Sequence, residues 1–164
     1  MDSASRYLSL DEPGRADHLW RYTPWRRVHP SGDVSEIPEL GKPTMRLLAI
    51  DGADAPSGIR LVEGGGSQTV LPNTDELTSS FLLASSEYSK WTLEVDRKFS
   101  SESPVILEIQ TGDGASACHI SLEVGEMAEL ELVTKVVGEN EWFGLLRTGR
   151  VGDGAILNDV LLGL

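Results

Sequence analysis

One short phrase occurs twice in the chain, 27 residues apart. Residues 124–130 (VGEMAEL) return as residues 151–157 (VGDGAIL). In each copy a glycine turn precedes a stretch in which apolar and polar side chains alternate, as they do in a β-strand. Self-similarity at an interval of roughly 20 to 50 residues is typical of repeat architectures, whose units are stable only when stacked. The phrase therefore predicts stacked strands, which suit a scaffold or binding protein more than an enzyme.

The same alternation predicts most elements of the second half of the chain. Strands are expected from Trp91 and Val105 onward and then over residues 118–124, 127–137, 142–146 and 155–162, after two short strands at 45–50 and 59–62. Glu129 and Glu131 are expected to face outward. Apolar residues on one face and acidic residues on the other are typical of sheets with one solvated face.

Two helices are predicted in the first half. One begins at Asp11-Glu12-Pro13 and ends near Pro24, because proline and acidic residues favour a first helical turn. The other is capped by Asn73 and runs to about Tyr88. The predicted fold class is mostly β, with a small N-terminal α+β region over residues 1–100 and stacked strands over residues 101–164.

Charge and composition exclude several classes of protein. Residues 61–164 carry 17 acidic and 6 basic residues, a surface that repels nucleic-acid phosphates. No apolar run approaches the roughly 18 to 20 residues of a membrane span, and no secretory signal is expected. The single cysteine, Cys118, fits a reducing compartment. We therefore expect a cytoplasmic protein that binds neither membrane nor nucleic acid.

The residues that suggest a metal or nucleotide site are explained by ordinary structural positions. Cys118 and His119 are adjacent, so on a strand they point to opposite faces, which predicts a buried cysteine beside a surface histidine. The glycines of 64–66 and 149–154 lack the phosphate-loop pattern and are expected in turns. Three aspartates near glycines have a spacing that matches no EF-hand calcium loop, and turns explain them: Asp113, Asp153 and Asp159.

No catalytic motif is present in the sequence, so no catalytic, cofactor-binding or metal-ligating residue is assigned. An aromatic and basic cluster near the N-terminus is expected to pack a small core or contact a partner, although such residues can also bind single-stranded nucleic acid. Its members are Trp20, Arg21, Tyr22, Trp25, Arg26 and Arg27.

Two parts of the chain resemble the SufB/SufD family of iron–sulfur cluster assembly proteins. Residues 19–24 (LWRYTP) are similar to a signature near the start of SufD-type chains. The second part begins near Phe81 and includes the segments 103–105 (SPV), 119–120 (HI) leading into 124–125 (VG), 128–130 (AEL) and 152–155 (GDGA). The resemblance implies that the strands are the first coils of a right-handed parallel β-helix.

It also implies a non-catalytic scaffold that supplies structure and subunit contacts. The implied partners are a SufB- or SufD-like subunit and, indirectly or through a region not matched here, a SufC-like ATPase. The family's ATPase-binding helices and the cysteine and histidine tied to cluster assembly match no position of this chain, so a cluster is expected only in the larger complex. We expect either a fragment of a longer protein or a short relative.

Two alternatives come from other classes. A carbohydrate-binding or carbohydrate-active β-helix protein would place aromatic residues beside carboxylates such as Glu129 and Glu131. A stand-alone self-associating module would pair through an open sheet edge, and the uncharged residues 160–164 (VLLGL) predict such an edge and a possible homodimer.

Overall fold

The computed structural model describes residues 41–64, 89–112, 115–139 and 142–163, together with Ser9, residues 11–14 and Ala16. The described residues form β-strands and contain no helix. The strands are β1 (Thr44–Ala49), β2 (Ile59–Glu63), β3 (Lys90–Val95), β4 (Val105–Gln110), β5 (Ala115–Val124), β6 (Glu129–Val137), β7 (Trp142–Val151) and β8 (Ile156–Gly163). Residues 11–14 are irregular, and both predicted helices otherwise lie outside the described residues.

The strands form two four-stranded mixed sheets, and from β3 onward consecutive strands alternate between them. One sheet has the order β1-β4-β6-β8 and the other the order β2-β3-β5-β7. Strands β4, β6 and β8 are parallel to one another, as are β3, β5 and β7, whereas β1 and β2 pair antiparallel at one edge of each sheet. Strands on both sides of residue 100 therefore share each sheet, and the expected domain boundary there stays a prediction.

The repeat interval of the sequence is the pairing register of the strands. Val124 pairs with Val151 and Leu130 with Leu157, so equivalent residues of the two phrases are direct neighbours. The β4–β6 pair has the same offset, because Val105 pairs with Leu132. Between β3 and β5 the offset is 29 residues, since Lys90 pairs with His119. Ser100 still bridges to Glu129 with the offset of 29 residues, whereas Val105 pairs with Leu132 at an offset of 27. The two additional residues of this layer therefore lie between Ser100 and Val105.

Three stacked turns connect the two sheets at one end. Backbone hydrogen bonds close them from Phe99 N to Asp96 O, from Ala128 N to Gly125 O and from Ala155 N to Gly152 O. The third residue of each turn has a left-handed backbone, with φ of 60° at Lys98, 57° at Met127 and 68° at Gly154. Further bonds join one turn to the next, including Met127 N to Asp153 O at 3.0 Å. The glycine phrases are thus layers of one stack.

The apolar core lies between the two sheets. Alternate residues of β4, β5 and β6 point into it, which explains the period of two in the sequence. The fully buried apolar members are Leu93, Leu107, Ile109, Cys118, Ile120 and Ala128. On the outer side of β6, Glu129 and Glu131 are exposed as expected. The core gains its stability from burial of about 0.8 kcal/mol per methylene group.

Candidate functional site

A polar cluster lies on the outer face of β5, opposite the core. Nε2 of His119 and Oγ1 of Thr148 on β7 share a hydrogen bond of 2.7 Å. Ser121 donates from Oγ to a carboxylate oxygen of Glu123 at 3.3 Å. Parallel pairing in register places Thr92, Ser121 and Thr148 side by side on β3, β5 and β7. The alternation in the sequence correctly separated this face from the core face.

The prediction of a surface histidine is wrong, because His119 is fully buried. It lies on a central strand and is flanked in register by Lys90 on β3 and Leu146 on β7. Alternation shows which side of a strand a residue occupies and not how much its neighbours cover it. Burial, reinforced by the charge of Lys90, lowers the pKa of His119, so the imidazole is neutral near pH 7.

A neutral imidazole bonded to a hydroxyl is one half of a nucleophile–base arrangement. Here the bond joins two neighbouring strands, and the imidazole is closed off from solvent. Thr92 Oγ1 donates to the carbonyl oxygen of Gly64 at 2.7 Å and so ties β3 to the end of β2. We therefore interpret the His119–Thr148 and Thr92–Gly64 hydrogen bonds as structural bonds between strands that hold the sheet in register.

Cys118 does not fit a ligand of an iron–sulfur cluster. Its side chain is fully buried in the core on the opposite face from His119. Burial raises the pKa of the thiol to about 12, whereas metals and clusters bind the thiolate. Within the described part of the chain, no three His, Cys, Asp or Glu side chains are placed to hold a metal ion.

An ion pair crosses the core between the last two strands. Nη2 of Arg147 on β7 lies 2.6 Å from Oδ2 of Asp159 on β8. The register places Arg147 beside Ile120 and Asp159 beside Leu132, so both charged side chains occupy core-facing positions. Nε and Nη2 of Arg147 are shielded from solvent and have no aligned hydrogen-bond acceptor among the described residues.

Two conflicting expectations for Asp159 came from the sequence, a turn because of the glycines near it and a strand over residues 155–162. The turn is wrong and the strand is confirmed, because the residue lies within β8. The 27-residue interval contained the correct placement, because adding 27 to Ile120 and Leu132 gives Arg147 and Asp159. The repeat phrase was not extended along the strands, and this pair was therefore missed.

The glycines of 149–154 also divide into two kinds. Gly152 and Gly154 lie in the last turn, as predicted. Gly149 lies in β7 instead, and a Cβ there would be 2.2 Å from the carbonyl oxygen of Leu122. That position needs glycine because the neighbouring backbone is too close for a side chain.

Some of the remaining residues that the sequence singled out lie in the described part of the structure, and others lie outside it. Asp153 lies in the last turn and Gly64 has a φ of 77° at the end of β2. The carboxylates of Glu129 and Glu131 have Ile156 and Asn158 as register neighbours, which gives them no aromatic partner on β8. Asp113, Gly65, Gly66 and the aromatic and basic cluster of residues 20–27 lie outside the described residues.

The last two strands form an open edge. Among the described strands, none pairs with the free sides of β7 and β8. Five large apolar side chains on these strands are between 41% and 54% exposed: Val151, Ile156, Val160, Leu161 and Leu162. The opposite edge has the shorter strands β1 and β2, with the ion pairs Arg46–Glu108 and Arg60–Glu94. The predicted apolar C-terminal edge is thus present as a surface, while its association stays a prediction.

Comparison with known protein families, with curated proteins and with solved structures finds no match for this chain. The described residues contain no helix of the length and hydrophobicity required to cross a membrane.

Proposed function

We propose that the chain is a non-catalytic scaffold component of iron–sulfur cluster assembly, similar to the SufB/SufD proteins, and that it supplies structure and subunit contacts. The observation that carries the proposal is the stacking of the repeated phrase. Val124 and Val151 are direct neighbours, and so are Leu130 and Leu157. The two glycine phrases, which are among the motifs that carry the resemblance, thus occupy equivalent positions of successive layers. This arrangement supports the stacked coils that the resemblance implies.

The proposal includes a finer description of the fold. Each layer contributes one strand to each sheet and one turn that connects the two strands, which is the connectivity of a parallel β-helix. In this proposal residues 101–164 are its opening coils, and the right-handed sense follows from the resemblance. Right-handed crossovers between parallel strands are also the rule in proteins generally.

In this proposal, other proteins of the complex or residues outside this chain bind the iron–sulfur cluster. Cys118 is a buried thiol with a raised pKa, and His119 is buried on the other face of the same strand. Neither supports a cluster-binding role for the chain alone. The long strands and stacked turns support a structural role. The proposed partners are SufB- or SufD-like and SufC-like proteins in the cytoplasm.

An anaerobic pull-down tests the proposal. The tagged chain is co-expressed with SufB-like and SufC-like proteins from the same source, and captured proteins are identified by mass spectrometry. Capture of the SufB-like protein is expected, with the ATPase present only when that subunit is present. An unrelated acidic β-protein of similar size controls for capture by charge. If the chain is folded by circular dichroism and captures neither protein, the proposal is wrong.

The exposed edge favours a second candidate, a stand-alone module that associates with itself. Its supporting observation is the apolar surface of β7 and β8, which no described strand covers. Exposed strand edges pair readily with other chains. A folded chain that self-associates and captures no Suf-like protein would support this candidate over the scaffold.

A further inference from the structure

The outer face of the β2-β3-β5-β7 sheet is buried over about half of its length. Thr92, His119 and Ser121 point away from the core and are fully shielded from solvent. Ala117 and Leu146, on the same face, are 5% and 7% exposed. Sheet side chains are shielded this completely only when another layer packs over them. None of the described strands forms that layer, because the other sheet packs against the core face.

The covered region lies at the end of the sheet that is remote from the three stacked turns. Toward the turns, on the same outer face, Arg150 is exposed and Glu94 and Glu123 are only half-buried. At the remote end Lys90, the first residue of β3, pairs with the fully buried His119 of β5. The covering layer therefore lies over the start of β3 and extends across β5 to β7.

Residues 65–88, which lie outside the described part of the chain, leave and re-enter the fold at this same end. The N–H of Gly64 donates to the carbonyl oxygen of Lys90 at 2.7 Å, so the two ends of the segment are adjacent. The N–H of His119 donates to the carbonyl oxygen of Ser89 at 2.8 Å. The end of the segment is thus bonded to the strand whose outer face is buried.

The sequence of this segment suits the covered face. Four residues share one side of the helix predicted after Asn73: Leu77, Phe81, Ala84 and Tyr88. A helix over residues 74–88 would be about 22 Å long, enough to cross three strands that are about 5 Å apart. The N-terminal residues are the other candidate, but they join the fold through β1, which belongs to the other sheet.

From these observations we propose that residues 65–88 pack on the outer face of β3, β5 and β7 and bury His119 and Ser121, with the side of Leu77 and Phe81 toward the sheet. This face is then an internal surface of the chain, and a partner subunit binds elsewhere. The inference goes beyond the proposed function and does not depend on it.

Thiol labelling of the full chain tests the inference. Ser121→Cys, in a Cys118→Ala background, places a thiol on the covered face, and its reaction with a small maleimide is expected to be slow in the native protein. Phe81→Asp puts a charge on the packed side of the segment and is expected to increase the rate about tenfold or more. Ser86→Asp is the matched control, because residue 86 lies on the opposite side of the predicted helix. It is expected to leave the rate unchanged.

Circular dichroism establishes that each variant is folded. A folded Phe81→Asp chain whose thiol stays protected overturns the inference, and so does an equal increase in Ser86→Asp. Trp25→Asp tests the other candidate. If this change exposes the thiol and Phe81→Asp does not, the N-terminal residues cover the face instead.

Disulfide trapping detects the contact without a buried charge. In the same background, Ala84→Cys is combined in turn with Ala117→Cys and with Leu146→Cys, and an intramolecular disulfide is expected on mild oxidation in at least one pair. Ala84→Cys/Val133→Cys is the control, because Val133 lies on the outer face of the other sheet. A disulfide in neither test pair, or one that forms equally in the control, overturns the inference.

Discussion

At the scale of single residues, Gly149 shows how closely neighbouring layers approach. A Cβ at this position would be 2.2 Å from the carbonyl oxygen of Leu122, which belongs to the neighbouring backbone and cannot rotate away. Gly149→Ala is therefore expected to lower the free energy of unfolding by about 1–3 kcal/mol, the usual cost of overpacking. Urea denaturation followed by circular dichroism measures this change.

Gly163 is the matched control for Gly149. It also lies in an edge strand, but a Cβ there would meet no atom within 4 Å. Gly163→Ala is expected to change stability by less than about 0.5 kcal/mol. Equal losses in the two variants would contradict the close stacking of β7 on β5.

The buried histidine predicts a dependence of stability on pH. Burial lowers the pKa of His119 in the folded state, so below its ordinary value of about 6.5 the unfolded chain takes up the proton first. The contribution of neutral His119 to stability is thus complete above pH about 6.5 and is lost as the pH falls through the lowered folded pKa. Wild type and His119→Gln are compared by denaturation between pH 5 and pH 8.

The difference in stability between these two proteins should shrink as the pH falls through this window. Comparison with the variant removes the contribution of the many carboxylates, which titrate in both proteins. A difference that stays constant with pH would show that His119 is not a buried neutral group in the folded protein.

At the scale of elements, the two faces of β6 should respond differently to truncation. Leu132 points into the core and is almost fully buried, whereas its neighbour Val133 lies half-buried on the outer face. Leu132→Ala is expected to cost about 2–5 kcal/mol of unfolding free energy. Val133→Ala, with fewer methyl groups removed from a half-solvated site, is expected to cost less than about 1 kcal/mol. Thermal denaturation compares the two.

A larger loss at Val133 than at Leu132 would mean that the strand is shifted by one residue. Such a shift would move every core side chain of β6 to the outer face.

Strands with a regular apolar pattern were predicted more accurately than strands in which that pattern is interrupted. Every second residue of β4 is apolar and buried, at Val105, Leu107 and Ile109, and the start of the strand at Val105 was predicted correctly. β7 was predicted to end at Leu146, yet it continues to Val151. A charge at Arg147 and a glycine at Gly149 interrupt the apolar alternation there, although both lie in the strand. Arg147 is accommodated because Asp159 on β8 pairs with its charge. Gly149 is accommodated because the nearby backbone of Leu122 leaves no room for a side chain.

At the scale of the whole molecule, the repeat was the most informative part of the sequence. Its interval predicted that strands stack, and the interval recurs in the register of three strand pairs, β4–β6, β5–β7 and β6–β8. The division of the strands between two sheets was not predicted, because alternation within a strand does not identify its neighbours. The burial of His119 was missed for the same reason, because the side chains that bury a strand residue come from parts of the chain that are far away in the sequence.

The central structural claim is that residues 27 positions apart are neighbours in adjacent layers. Glu129 and Ile156 are register partners with exposed side chains on the outer face of their sheet. Arg46 and Leu162 lie on the same sheet but on its opposite edge strands, β1 and β8. Adjacent strands are about 5 Å apart, so the second pair is separated by about 15 Å.

Continuous-wave electron paramagnetic resonance on spin labels at these two pairs tests the claim most directly. The labels are attached to introduced cysteines in a Cys118→Ala background, and the samples are diluted with unlabelled protein to suppress contacts between copies. Strong dipolar broadening is predicted for Glu129→Cys/Ile156→Cys, and clearly weaker broadening for Arg46→Cys/Leu162→Cys. Absence of broadening in the first pair, or equal broadening in both, would contradict the stacked layers.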